Sequence, residues 1–102
     1  MRRFMIAAEN LRDRDFIDYL NSNGLGWWHW IDNFWLITVQ DDIEMSSEKL
    51  QNKVNLFSDS PIRNMVIELH GTHTWAGHGP NGSEGGKNMF EWMHNTFDKT
   101  IK

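Results

Sequence analysis

The sequence contains no cysteine and only two prolines. The first absence removes a disulfide framework, a thiolate nucleophile and an iron–sulfur site together, and it fits a reducing compartment. Long apolar runs are also missing. The Phe4–Ala8 stretch that follows Arg2 and Arg3 stops at Glu9, too short for a membrane span or a secretory leader, so a cytosolic protein is expected. Basic charge is scarce, with 10 Lys and Arg against 14 Asp and Glu and a net charge of −4. Counterion release, which drives binding to polymeric nucleic acid, is therefore weak, and neither a nucleic-acid polymer nor a membrane is an expected partner. A small phosphorylated ligand asks for only a few donors, which an acidic chain can supply from Arg, Lys and backbone amides.

What the chain does have is ordinary globular composition, 39% hydrophobic and 24% charged, and an unusual load of tryptophan. With 102 residues there is room for a single domain, expected to span 1–102. A chain of this size buries only about two-thirds of its unfolded surface, so self-association into a dimer or tetramer would add needed stability. Four of the six Trp fall between Trp27 and Trp35. Such rings occupy cores, interfaces or stacking sites, and four together overfill one small core.

Turn signals divide the chain cleanly. Arg3–Ala8 reads as a buried strand, and Asn10 is placed to cap a helix carrying Phe16, Ile17, Tyr19 and Leu20 up to Asn23-Gly24. Gly26–Ile31 and Phe34–Val39 are aromatic and β-branched runs around Asp32-Asn33, the pattern of an antiparallel hairpin. Strict alternation puts Trp28 and Trp30 on one face and Trp27, His29 and Ile31 on the other. Ser46 or Ser47 opens a second helix with Leu50, Val54 and Phe57 in register, closed by Asp59-Ser60-Pro61, and Asn64–Leu69 is a fourth strand. Beyond it lie a Gly- and His-rich stretch around Trp75 and a helix carrying Met89, Phe90, Trp92, Met93 and Phe97. Strand, helix, strand, strand, helix, strand and an added helix predict an α/β (α+β) ferredoxin-like βαββαβ sandwich.

The Gly77–Lys87 stretch does not have the spacing of a nucleotide-triphosphate loop, since Asn81 and Asn88 stand where Gly and Ser or Thr are required. What survives is a glycine loop able to offer amides to an anion beside Lys87. His70, His73 and His78 are near one another, but no Cys or short acidic spacing completes a tetrahedral set, and no metal or other cofactor is expected. No Ser-His-Asp or paired-carboxylate arrangement can be read from spacing, and Glu9 is the one carboxylate at the end of the first strand where a metal could use it. The Trp cluster is the strongest signal. As core it fills space, and as a slot it stacks a base at about 1–3 kcal/mol.

The segment Gly26-Trp27-Trp28-His29-Trp30-Ile31-Asp32-Asn33-Phe34-Trp35-Leu36-Ile37 resembles the Gly-x-Trp-Trp-His signature of a group of small ferredoxin-like proteins. That group has the fold of the small CRISPR adaptation endoribonucleases and includes the phage anti-CBASS sponges, which sequester cyclic oligonucleotide immune signals. The Trp75-Ala76-Gly77 turn and Phe90-x-Trp92 match less closely, and the first helix hardly at all. Where the endoribonuclease-like relatives end the first strand in Asp, this chain has Ala8-Glu9-Asn10, a departure that favours binding over cleavage. The resemblance thus implies a homo-oligomeric, non-enzymatic sponge for a ligand such as 3′,3′-cyclic GMP–AMP. Within that reading Trp28, Trp30 and Trp75 stack bases, His29, His73 and Asn10 give polar recognition, and Arg12, Arg63 and Lys87 meet phosphates. The alternatives are a metal-dependent endoribonuclease and a Trp-rich protein-interaction subunit.

Overall fold

Positions 4–8 of Arg2–Ala8 (β1) are all apolar, and alternate ones, Phe4, Ile6 and Ala8, are buried on the side that faces the helices. A computed structural model describes residues 1–71, 74–78 and 90–98, which divide into two compact units, Met1–His70 and Gly71–Lys102.

The first unit is a mixed α+β structure. After β1 come α1 (Asp13–Ser22), β2 (Gly26–Ile31), β3 (Phe34–Val39), α2 (Ser47–Leu56) and β4 (Asn64–Leu69). The strands form one four-stranded sheet in the order β2-β3-β1-β4, every neighbouring pair antiparallel. Register aligns Ile6 with Trp35 and Phe4 with Ile37, so one face of the sheet is a continuous apolar surface. Phe16 and Leu20 of α1 and Leu50 and Val54 of α2 close over that face, each fully buried. Ser46 caps α2 by accepting a bond from the Lys49 amide, and Asn33, with φ of 66°, turns the β2–β3 hairpin.

Two local expectations are corrected. Asn10 does not cap α1: the N-cap is Arg12, which makes no side-chain capping bond. Asn10 instead takes a left-handed φ of 59° and donates from Nδ2 to the Pro61 carbonyl. Alternation along β2 also breaks. Trp27 pairs with Ile37 and Trp28 with Leu36, but the register then shifts and Ile31 pairs with Phe34. The extra residue is a bulge, which moves Ile31 to the face that strict alternation denied it.

In the second unit a short π-helical segment spans Met93–Phe97, closed by the Asp98 amide donating to the Met93 carbonyl. Trp75 stacks on Phe90 with centroids 5.6 Å apart, and its Nε1 donates to both carboxylate oxygens of Asp98 at 2.9 and 2.8 Å. No helix among the described residues is long and apolar enough to cross a membrane.

Candidate functional site

Antiparallel pairing brings the end of β1, the end of β2, the start of β3 and the start of β4 to one end of the sheet. Five of the residues singled out from the sequence lie there: Asn10, Arg12, His29, Trp30 and Arg63.

The chain leaving β1 is tied to the segment that enters β4. The Asp59 amide donates to the Asn10 carbonyl, the Arg12 amide to Phe57 and the Glu9 amide to Arg63. Side chains repeat the connection. Arg12 donates from Nη1 to Asp59 at 2.7 Å, from Nε to Asp15 at 3.1 Å and from Nη2 to the Leu56 carbonyl at 3.2 Å. The bonds to Asp15 and then Asp59 raise the Arg12 pKa above its ordinary value. Arg63 donates from Nε to Glu9 at 2.6 Å, with its side chain 74% exposed.

His29 is built into the same end differently. Its Nδ1 donates to the Phe34 carbonyl at 2.9 Å and its Nε2 lies 3.0 Å from Asp13 of α1. Both partners are acceptors, so the two bonds coexist when both ring nitrogens carry a proton. The ring lies flat on Trp35, which is fully buried and whose Nε1 has no hydrogen-bond partner. Every atom of His29 able to read a ligand is thereby engaged.

The tryptophans separate. Trp28 is 4% exposed, Trp30 is 45% exposed, and Trp27 packs beside Trp35 while donating to Asn21. Trp75 lies in the second unit, and His73 and Lys87 fall outside the described residues. Two participants escaped sequence reasoning, Asp13 and Asp59. Their partners lie 16 and 47 residues away, and no local pattern marks such pairs.

Among the described residues no three His, Asp or Glu side chains gather as a metal site. Glu9, Asp15, Asp59 and Asp13 each face a cationic or imidazole partner instead. A surface depression of about 250 Å³ beside the start of α2, lined by Met45, Ser46, Lys49 and Asn52 among others, involves none of the residues above. Against this geometry, no protein family, no curated protein and no solved structure matches the chain.

Proposed function

We propose that this chain is a cytoplasmic, self-associating ferredoxin-like protein that binds and sequesters a cyclic oligonucleotide without cleaving it, the role of a phage anti-CBASS sponge. The observation that carries this reading is that Trp30 on β2, Asn10 after β1 and Arg63 before β4 all lie at the same end of the sheet.

The chemistry divides among them by availability. The exposed indole of Trp30 suits base stacking, worth about 1–3 kcal/mol for any nucleobase. Arg63 suits phosphate. Its exposed pair with Glu9 is worth only about 0–1 kcal/mol, so little is lost when a phosphate takes the place of the carboxylate. Arg12, committed to three acceptors that tie α1 to the end of α2, would lose more by the same exchange and serves to hold the loop. Glu9, Asp13, Asp15 and Asp59 are each matched to a partner, and a metal held by these carboxylates would have to displace those pairs.

Calorimetric titration against cyclic di- and trinucleotides, followed by chromatography of the recovered ligand, tests the reading. Tight binding with the ligand intact is the expected result. Products formed only with magnesium would replace it with a metal-dependent nuclease, and silence across the panel would leave the aromatic cluster as a protein interface.

A further inference from the structure

The two edges of the sheet differ. The edge at β2 is interrupted by the register shift between Trp28 and Ile31, whereas β4 pairs with β1 without a break from Asn64 to Leu69. No strand lies beyond β4 among the described residues. Exposed edges are commonly protected by Pro, Lys or a bulge, and β4 has none of the three. Its one charge, Glu68, is tied on the helix-facing side to Arg2 through bonds of 2.8 and 3.0 Å. Three of the six exposed large apolar side chains of the described residues, Ile62, Met65 and Ile67, fall in or beside this strand.

Backbone directions follow from two bonds. The Ala8 amide donates toward β3 at Asn33, and the Glu9 amide donates toward Arg63 at the start of β4. In an antiparallel ladder these directions alternate. Met65, Ile67 and Leu69 therefore direct their N–H and C=O groups to β1, and Asn64, Val66 and Glu68 direct theirs outward.

We propose that the outer edge of β4 is a self-association surface, on which a second copy of this chain pairs antiparallel about a two-fold axis through Val66. This register sets Val66 opposite its own counterpart and Asn64 opposite the partner copy's Glu68, so the outward N–H and C=O groups of both edges meet. On the face away from the helices it sets Met65, 62% exposed, against the second copy's Ile67, 39% exposed. Charge selects the same arrangement: parallel pairing in register would stack Glu68 on Glu68, and the two-fold places no like charges opposite each other. A register centred on Ile67 would run the ladder into Gly71, whose φ of 71° ends the extended backbone. The pairing joins two sheets into one of eight strands and needs no ligand.

Sedimentation of the full chain over a range of concentrations is expected to approach twice the 12.1 kDa chain mass. Met65→Lys alters an exposed side chain and is expected to weaken association about tenfold or more, because the two-fold counts each lost contact twice. Since the chain lacks cysteine, the register is read directly. Met65→Cys and Ile67→Cys proteins, mixed under mild oxidation, are expected to form the mixed disulfide in preference to either homodisulfide, as Cα atoms in a non-hydrogen-bonded pair stand about 4.5 Å apart. A monomer throughout the range, or a dimer indifferent to Met65→Lys and free of the mixed disulfide, would overturn the proposal.

Discussion

The imidazole of His29 lies on the indole of Trp35 with ring centroids 3.7 Å apart and planes within 1° of parallel. Above this stack Asp13 brings in the first turn of α1, so one side chain joins the bulged part of β2, β3 and a helix. His29 is thus a packing residue.

His29→Ala is expected to lower unfolding free energy by roughly 2 kcal/mol. The stack contributes about 0.5–1.5 kcal/mol beyond area, and the bonds to Phe34 and Asp13 add about 1 kcal/mol after allowance for the exposed carboxylate. Urea denaturation measures this. An unchanged midpoint would show that the stack and its bonds are not stabilising.

Trp28 and Trp30 are expected to give opposite results. Trp28→Ala empties a buried site and should cost about 3–5 kcal/mol of stability. Trp30→Ala, at a side chain 45% exposed, should cost less stability than Trp28→Ala and weaken cyclic-nucleotide binding by roughly 5- to 150-fold, the equivalent of about 1–3 kcal/mol. Denaturation and calorimetry on both variants separate the roles, and equal affinity in Trp30→Ala would remove it from the site.

Acid should act through Glu68. The bidentate bond from Arg2 holds its carboxyl below the ordinary value of 4.5. A carboxyl lowered in the folded state stabilises above the unfolded pKa, and that contribution is lost as pH falls through the folded value. Wild type should therefore exceed Glu68→Gln by about 1 kcal/mol at neutral pH, the upper range for a pair that solvent reaches, and the difference should vanish in acid. Thermal unfolding of both proteins from neutral pH to below pH 4.5 measures the convergence.

Gly77 packs against Phe90 so closely that a methyl group would lie 2.5 Å from one ring carbon and 2.7 Å from the next. Gly77→Ala must displace that ring and with it the stack on Trp75, at an expected cost of about 1–3 kcal/mol within the second unit. Near-ultraviolet circular dichroism should report the change, and an unaltered aromatic spectrum would contradict it.

The strands and helices of the first unit were legible because their signals are local. Gly26–Ile31, Phe34–Val39 and Asn64–Leu69 are apolar or β-branched runs bounded by turn residues, and the structure places strands at those bounds. Asn10 misled because a short polar residue before a helix serves equally as a cap or as a left-handed turn. The choice rests on the Pro61 carbonyl, 51 residues away. The bulge after Trp28 was equally hidden, since an extra residue is visible only against the strand it pairs with.

By itself the sequence determined the order of elements, the apolar stripes of α1 and α2 and the scarcity of cationic charge, because periodicity and composition need no partner to be read. Tertiary structure alone decided which rings are buried and how firmly each cation is held: Trp28 buried and Trp30 45% exposed, Arg12 bound to Asp59, Asp15 and the Leu56 carbonyl, and Arg63 in an exposed pair with Glu9. Those outcomes depend on pairings between residues far apart in the chain, where register and packing, rather than local preference, set the free energy.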